Sequence, residues 1–547
     1  MIATGTLAGG VLVSGIVWAL LTATPAVRVA LAGALVLLGL AGWALARIGS
    51  DRHRKSTRVD EKARSLGRLR DIEAMTEKHI TADTERLGAG GAGTGVPLGR
   101  HTWTGQPLYG TWEWVQVWFM GPRSGKTSCA CIPQILETRG PVLATSNKRD
   151  IVDLTRGPRT EAGHVWVHDV QDIIGEPAIW WWNPLTFVTD MERAEQLVGV
   201  FRSSTTSADA RDDAYFGPAA RETLARLFLA AAIAERPVTD VYAWANDPGG
   251  RNANLPNPAV LLDRHGWADQ AQALASTMAL TEKQRDGIYG GLRVWIGVLG
   301  NPKVLPWITD TGSSRPHFDP YTFVTSTDTL YAISKEGGGS ARAITAALTV
   351  AVLTAAEETG ARMPGGRLET PLLAVLDEVA NVCRWNQLPD VYSHYGSRGI
   401  NLVAFFQSWQ QGAEAFGENG MWKLWGAANV RVAGGGLADD KLLPLLSRLL
   451  GDHDTVQRNR SSGGRGGGST SRSLTRQRIF DESELAELPR ARAVLSASLQ
   501  RSTLLTLTHW SEKPYAEKVW QSRAHYEARA IAQGREIEET APWKDAA

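Results

Sequence analysis

Residues 119–132 read FMGPRSGKTSCACI and follow an alternating apolar stretch, WEWVQVWFM, at 112–120. The string is close to the phosphate-binding loop pattern G-x-x-x-x-G-K-[ST], in which backbone N–H groups and a lysine hold phosphates. The end of the pattern, GKT at 125–127, is intact, but position 120 is Met120 and the glycine comes one place late, at Gly121. A strand before the loop and a helix after it supply the context that such a loop requires, so the sequence predicts a nucleotide site.

The loop pattern indicates a role for several residues. Lys126 would reach the β- and γ-phosphates, and the Thr127 hydroxyl would ligate Mg²⁺. Gly121 would supply part of the backbone freedom that the missing glycine gives the usual loop. The residues expected to contact the nucleotide are Gly121, Pro122, Arg123, Ser124, Gly125, Lys126, Thr127 and Ser128. ATP and Mg²⁺ are therefore the predicted cofactors.

Polar residues end two further apolar strands. PLLAVLDEVAN at 371–381 places Asp377 where it would hold Mg²⁺ through water, and Glu378 where it would polarise the attacking water as a general base. NLVAFFQSWQQ at 401–411 ends in Gln407, which is expected to sense the γ-phosphate. About 250 residues separate the loop from the acidic pair, which argues against a simple kinase or a small GTPase.

Strand patterns alternate with helical ones, which predicts an α/β fold with a parallel sheet and helices on both faces. Further strands are expected in PVLATS (141–146), HVWVHDV (164–170), DTLYAIS (328–334) and NVRVAGG (429–435). Residues 190–300 have helical spacing and few strand signals, so an inserted all-α domain is predicted there. The Gly/Ser-rich string RNRSSGGRGGGSTSRS at 458–473 is expected to form a loop or a hairpin tip.

The N-terminal residues are strongly apolar. Residues 2–27 and 29–46 contain no charged residue, and five basic residues follow from Arg47 to Arg58. Both runs can span a bilayer, and the positive-inside rule then predicts a two-pass hairpin in the inner or plasma membrane with both termini and the ATPase domain cytoplasmic. A cleaved signal peptide is disfavoured because a second apolar run follows the first. A buried core hairpin is the other alternative.

The composition adds two constraints. The 58 Lys and Arg against 57 Asp and Glu give a formal net charge of +1, so nucleic-acid binding would need local basic patches. Cys129, Cys131 and Cys383 are too few for a disulfide framework and are interpreted as small core residues rather than metal ligands. The predicted segments are a transmembrane hairpin (1–50), a cytoplasmic stalk with a glycine-rich joint (51–95), the first part of the ATPase domain (96–189), the all-α insertion (190–300), the second part of the ATPase domain (301–515) and a C-terminal tail (516–547).

Several strings, in order along nearly the whole chain, resemble TraG/TraD-type coupling proteins of conjugation and type IV secretion. MGPRSGKT at 120–127 resembles the A-P-T-R-S-G-K loop of that family, which also commonly lacks the first glycine. LDEVAN at 376–381 resembles L-D-E-F-A-N and is the most specific match, and YGSRGINLVAFFQSWQQ at 395–411 resembles the segment that ends in Q-S-x-Q. WWNPL at 181–185 and DAYFGPAARETL at 213–224 resemble earlier segments of the family.

The resemblance implies a membrane-anchored, hexameric, RecA-like ATPase. Such a protein recruits a relaxase bound to single-stranded DNA and pumps the DNA into a type IV secretion channel. The family pattern carries nucleotide and Mg²⁺ binding over to Lys126 and Thr127, the acidic motif to Asp377 and Glu378, and the glutamine to Gln407.

The chain departs from the family before the glutamine strand. Many members have R-S-R where this chain has Gly396, Ser397 and Arg398. An arginine acting on a neighbouring subunit would therefore be Arg398, Arg431 or another residue, and a surface ion pair is the alternative role. Many members also have D-P-K where this chain reads SNK at 146–148.

Two other classes of protein compete with this interpretation. An FtsK-type translocase would act on double-stranded DNA, but it usually has four membrane spans and a C-terminal winged helix. A membrane-bound scaffold with a degenerate nucleotide site is disfavoured because the lysine, threonine and acidic pair are all present. The 458–473 string is a candidate DNA contact, although a solvated linker is an equally good interpretation of its composition.

Overall fold

The computed structural model describes Thr24 and residues 58–206, 216–312, 314–335, 341–463 and 467–540. Contacts divide the chain into two compact units, Met1–Glu61 and Lys62–Ala547. The strands are β1 (Val96–His101), β2 (Pro107–Gly110), β3 (Gln116–Phe119), β4 (Val142–Ser146), β5 (Val165–His168), β6 (Thr329–Ile333), β7 (Leu372–Leu376), β8 (Ile400–Phe406), β9 (Val430–Gly434), β10 (Asp452–Gly463), β11 (Gly467–Arg478), β12 (Arg492–Ala497) and β13 (Thr503–Thr506).

The α-helices lie between these strands, and the longest run of consecutive helices separates β5 from β6. They are α1 (Arg58–Lys62), α2 (Glu77–Arg86), α3 (Ile132–Glu137), α4 (Asp150–Arg159), α5 (Met191–Thr205), α6 (Phe216–Ile233), α7 (Val238–Asn246), α8 (Pro258–Arg264), α9 (Ala268–Met278), α10 (Glu282–Ile296), α11 (Leu305–Ile308), α12 (Pro320–Val324), α13 (Arg342–Arg362), α14 (Val379–Val382), α15 (Leu388–Ser397), α16 (Trp409–Ala427), α17 (Leu442–Leu450), α18 (Glu482–Ala486) and α19 (Ala516–Thr540).

Most strands form one large sheet in the order β2-β1-β13-β12-β9-β3-β8-β7-β4-β6-β5. From β9 to β5 every neighbouring pair is parallel, whereas the four strands from β2 to β12 are antiparallel to their neighbours. The strands β4, β7 and β8 are buried at every residue, as expected for parallel strands covered by helices on both faces. The predicted α/β fold with a parallel sheet is confirmed.

The parallel strands coincide with the apolar runs that the sequence indicated, but the antiparallel part of the sheet was not predicted. The strands β1, β2 and β13 have four to six residues and carry Gly, Pro or Thr, so no long apolar run marks them. The strand β2 pairs with β1, β1 with β13, and β13 with β12, which itself pairs with β9.

The segment predicted as a stalk with a flexible joint is packed instead. Ile72, Met75 and Ile80 are fully buried, and the amide of Gly67 donates to the Ser502 carbonyl at 2.8 Å. Within the glycine-rich stretch, a Cβ at Gly95 would lie 2.6 Å from the Ile80 side chain. The small residues of this stretch therefore permit close packing.

Helices α5 to α10 occupy the region of the predicted insertion, between β5 and β6 in the chain. The predicted tail contains α19, which packs on α4: the Ser522 hydroxyl donates to the Asp153 carbonyl at 2.6 Å. Among the helices of the described residues, none combines the length and the apolar character that crossing a bilayer requires. The predicted membrane hairpin lies outside the described residues, apart from Thr24.

Candidate nucleotide site

The glycine-containing loop connects β3 to a turn of π-helix, Thr127–Cys131, that continues into α3. Met120 directly follows β3 and continues its pairing with β8, since the Met120 amide donates to the Phe406 carbonyl at 3.0 Å and its side chain is fully buried. The tight part of the turn falls at Arg123 and Gly125, with φ of 58° and 99°. Ser124 closes the turn by donating its hydroxyl to the Gly121 carbonyl at 2.7 Å.

Position 121 must be a glycine because there is no room for a side chain, and not because the backbone conformation there excludes other residues. A Cβ at this position would lie 1.9 Å from the carbonyl oxygen of Gly436, in the loop that follows β9. The Gly121 amide also donates to the Gly435 carbonyl at 3.2 Å. Gly434 is constrained in turn, because a Cβ there would lie 2.8 Å from the Met120 side chain. The expected role of Gly121 in loop freedom is thus replaced by a close contact with the β9 loop.

Lys126 meets both predicted acidic residues. Its Nζ lies 2.8 Å from Asp377 Oδ1 and is hydrogen-bonded to Glu378 Oε1. All three side chains are at most 11% exposed. The pair follows β7, and the Thr145 hydroxyl at the end of β4 donates to the Asp377 carbonyl at 2.9 Å. The fold therefore brings together residues that are 250 positions apart because both lie at the carboxyl ends of parallel strands.

Burial and ion pairing shift the pKa values of this triad in different directions. Burial raises the pKa of Asp377 to about 6, although Lys126 opposes the rise. Burial also opposes ionisation of Glu378, but the Lys126 ammonium and the Gln407 and Gln411 amides outweigh it and lower the pKa of Glu378. For Lys126, burial is outweighed by the two carboxylates, which raise its pKa above the ordinary value. Glu378 is therefore ionised at neutral pH, as a general base must be.

Gln407 is held against Glu378 by the order of the strands. Its strand, β8, lies between the loop strand β3 and the acidic strand β7. Gln407 Nε2 donates to Glu378 Oε1 at 2.7 Å, and Gln411 Nε2 donates to Glu378 Oε2 at 3.4 Å. Glu378 has a left-handed backbone, φ 53° and ψ 43°, which costs a non-glycine residue about 1–2 kcal/mol. Such local strain is concentrated at functional sites.

Two residues near the site were not predicted. Asp439 is buried; its Oδ2 accepts from the Trp409 amide at 2.6 Å and its Oδ1 from the Leu442 amide at 2.9 Å. It thereby joins the start of α16, next to Gln407, to the start of α17. Arg490 is exposed, and its Nε donates to the Arg123 carbonyl of the phosphate-binding loop at 3.0 Å. No binding or catalytic pattern in the sequence gives either residue a role at the site, so only the fold could reveal them.

Arg398 does not join the site within its own chain. It precedes β8, whose seven residues span about 23 Å, and Gln407 follows that strand. The Arg398 Nη1 donates to the Gly366 carbonyl at 3.0 Å. Arg431 lies near the amino end of β9 and donates to the Trp425 carbonyl at 2.6 Å. Any catalytic role for either arginine therefore requires a second subunit and remains a prediction.

The structure also explains the missing arginine at position 396. Gly396 is buried in α15, and a Cβ there would lie 2.0 Å from the Glu113 carbonyl oxygen. This chain has no room for any side chain at that position.

The residues present fit Mg²⁺-nucleotide. The amides of Arg123 and Gly125 find no acceptor among the described residues and are free to bind an anion. Behind them lie a buried ammonium and two buried carboxylates. A loop of donors at a helix N-terminus suits phosphates, and carboxylate and hydroxyl oxygens suit Mg²⁺.

Comparison with known proteins gives one family match. Residues 371–490 match the family model described as the TraM recognition site of TraD and TraG. This range includes the acidic pair, Gln407, Asp439, Arg490 and both strands of the β10–β11 hairpin. No curated protein matches the chain.

Two of the solved structures that this chain resembles illustrate the shared fold. One is the bacterial conjugative coupling protein TrwBdeltaN70 in an unbound monoclinic form, with a TM-score of 0.54 and 15% identity over 75% of this chain and 88% of that chain. The other is the plasmid coupling protein TrwB in complex with ADP and Mg²⁺, with a TM-score of 0.52 and 14% identity over 76% of this chain and 92% of that chain. The predicted resemblance to TraG/TraD-type coupling proteins is confirmed, because residues 371–490 match that family model and the fold is similar to that of coupling-protein structures.

Proposed function

We propose that this chain is a Mg²⁺-dependent ATPase that moves DNA. The observation that carries the proposal is the buried contact of Lys126 with Asp377 and Glu378, with Gln407 bonded to the same glutamate. A structural ion pair would account for the lysine and one carboxylate. It would not account for a phosphate-loop lysine, a strained glutamate and a glutamine meeting at the carboxyl ends of adjacent strands.

Bound Mg²⁺-ATP would supply the phosphoanhydride bond and a divalent cation that neutralises its oxygens. Lys126 would leave its carboxylate partners to bind the β- and γ-phosphates, and the loop amides would orient them. Thr127 and Asp377 would hold Mg²⁺. Glu378, released from Lys126, would take a proton from the attacking water, and Gln407 would position that water through its amide.

The same proposal also covers what the protein transports and where it acts in the cell. A TraM-recognition region and a coupling-protein fold support a coupling ATPase that delivers a relaxase with its single-stranded DNA to a type IV secretion channel. We further propose a homo-hexamer anchored by the two apolar runs before residue 47, with the ATPase domain in the cytoplasm. A ring would also give Arg398 or Arg431 a neighbouring site to act on.

The test uses the full-length protein in lipid nanodiscs. ATP hydrolysis is measured without DNA, with a single-stranded oligonucleotide and with the matching duplex, for the wild type and for Glu378→Gln. We expect stimulation by the single strand, and a fall of about 10²–10⁴-fold in Glu378→Gln with nucleotide binding retained. Full activity in Glu378→Gln would overturn the ATPase assignment. Stimulation by the duplex alone would favour an FtsK-type translocase.

A further inference from the structure

The strands β10 and β11 form a two-stranded hairpin apart from the large sheet. Each has 12 residues, so each strand is about 40 Å long. The register is continuous, from Asp452 opposite Arg478 at the base to Gly463 opposite Gly467 near the tip. Most of the string at 458–473, which was predicted to form a loop or a hairpin tip, therefore belongs to the two paired strands.

In this register, the two faces of the hairpin carry different types of residue. Directly opposed residues of an antiparallel ladder share a face, and alternate residues of each strand share it too. One face, named here the arginine face, holds the positions of Asp452, Asp454, Val456, Arg458, Arg460, Ser462, Gly468, Thr470, Arg472, Leu474, Arg476 and Arg478. The other face holds only Ser, Thr, Asn, Gln, His and Gly positions. Every arginine of the two strands is therefore on one face.

The charge of this face rises away from its base. At the base, Asp452 pairs with both Arg476 and Arg478 at 3.2 Å. Beyond Asp454 the hairpin has no acidic residue as far as Arg478. The positions of Arg458, Arg460 and Arg472 thus form a run of cationic positions farther along the ladder, with no acidic position beside them on either strand.

Within this patch, Arg458 lies directly opposite Arg472. Like charges in directly opposed positions destabilise a ladder. A bound anion would remove that repulsion, so the register itself favours an anionic ligand. The positions of Arg458 and Arg460 are about 6.8 Å apart along the strand, which suits a ligand with evenly repeated negative charges.

We propose that the arginine face of the β10–β11 hairpin binds the phosphodiester backbone of the nucleic acid that this chain moves. This inference rests on the proposed function. Backbone binding needs cations and hydrogen-bond donors but no pocket. A peptide strand would use pockets for alternate side chains, whereas the arginine face has only one apolar pair, Val456 opposite Leu474.

The main experiment measures binding of a fluorescent 30-nucleotide single strand to the full-length protein in nanodiscs across a salt series. The first variant combines Arg458→Gln, Arg460→Gln and Arg472→Gln. We expect its affinity to fall at least about tenfold, and the slope of log K against log salt to fall by about 2, since three phosphate contacts are lost. Affinity and slope equal to those of the wild type would overturn the proposal.

A second variant tests the face while keeping composition and net charge. It exchanges neighbours, combining Arg458→Asn with Asn459→Arg and Ser471→Arg with Arg472→Ser, and so moves two cations to the other face. We expect a slope lower by about 1.4. Binding as tight as that of the wild type would mean that only net charge matters, and the face assignment would be wrong.

Competition experiments distinguish single-stranded DNA from other polyanions as the ligand of the arginine face. A duplex of the same sequence tests which phosphodiester is preferred, and preference for the duplex would overturn the single-stranded cargo. Poly-glutamate that competes as well as the oligonucleotide at equal charge would replace nucleic acid by an acidic protein partner. ATP hydrolysis without DNA should be the same in both variants as in the wild type. Absence of hydrolysis in the wild type both with and without DNA would overturn the proposed ATPase, whereas unchanged DNA binding in the variants would overturn only the hairpin proposal.

Discussion

The two ends of the same parallel strands hold very different polar residues. At the carboxyl ends, side chains bind one another: Lys126 meets Asp377 and Glu378, and Glu378 meets Gln407. Near the amino ends, two arginines instead bind the backbone: Arg398 donates to the Gly366 carbonyl and Arg431 to the Trp425 carbonyl. Side chains that bind one another can exchange partners for a ligand, whereas those that bind carbonyls fix the course of the chain.

The end of the strand at which a polar residue lies therefore indicates whether it takes part in nucleotide binding and hydrolysis or only stabilises the fold. Substitutions at the carboxyl ends should change nucleotide binding or hydrolysis beyond any change in stability. Substitutions at the amino ends should change stability alone, unless the arginines there act on the site of a neighbouring subunit. The following predictions test that division, beginning with the largest expected effect.

Lys126→Ala should abolish hydrolysis and also destabilise the fold. Asp377 and Glu378 are both 4% exposed and would lose their shared cation. Removing one partner from a buried pair costs about 3–5 kcal/mol. Urea unfolding and an ATPase assay measure the two effects. As a control, Lys518→Ala breaks an exposed ion pair with Glu161 and should cost at most about 1 kcal/mol. Retained hydrolysis in Lys126→Ala would contradict the site.

Gly121→Ala and Gly396→Ala form a matched pair across the sheet. The added methyl would lie 1.9 Å from the Gly436 oxygen in one case and 2.0 Å from the Glu113 oxygen in the other. Overpacking of this kind costs about 1–3 kcal/mol, and we expect both variants to lose stability by similar amounts. Only Gly121→Ala should weaken nucleotide binding, because only that clash displaces the phosphate-binding loop.

Urea unfolding and titration with a fluorescent ATP analogue check both halves of this prediction. Equal losses of nucleotide affinity in the two variants would show that the ends of the strands are not functionally distinct. An increase in stability of Gly396→Ala, as alanine usually gives inside a helix, would contradict the close contact itself.

Asp439→Asn should slow hydrolysis by about tenfold with little change in nucleotide affinity. Both Asp439 oxygens accept backbone N–H groups, and an asparagine would turn a donor toward one of them. The start of α16 would shift, and Gln407 precedes it. Steady-state rates at saturating ATP, compared with nucleotide titration, separate the two parameters. The exposed neighbour supplies the control variant, Asp440→Asn, which should behave like the wild type.

Arg398→Gln should have the smallest effect. The loss of its bond to the Gly366 carbonyl should cost about 1 kcal/mol and leave nucleotide affinity unchanged. Unfolding and nucleotide titration check this outcome. If hydrolysis instead fell by about 10³-fold at unchanged stability, Arg398 would act in the site of a neighbouring subunit, and the amino ends of the strands would not be pure scaffold.

The sequence predicted the parallel half of the fold well and the antiparallel half hardly at all. Strands such as β7 and β8 are buried on both faces, so they appear as unbroken apolar runs. The short strands β1 and β2 join the sheet through the pairing of β1 with β13, which lies more than 400 positions later in the chain, as between His101 and Leu505. Such long-range register leaves no local pattern in a chain.

The candidate site shows the same division. Lys126 could be chosen in advance from the loop pattern, and Asp377, Glu378 and Gln407 because they follow apolar strands. Asp439 and Arg490 could not, since they sit in loops whose approach to the site depends on the folded sheet. Gly121 was selected for the wrong physical reason, because a contact with Gly436 is invisible until both loops are placed.

The length of the β10–β11 hairpin has a mechanical consequence. The phosphate-binding loop touches Gly435 and Gly436, Asp439 then caps α17, and the hairpin starts directly after α17 at Asp452. A lever of about 40 Å multiplies small rotations at its base: a tilt of about 5° displaces its far end by about 3.5 Å. Sub-ångström adjustments around a phosphate can thus be converted into strokes comparable with the rise of one residue in an extended chain.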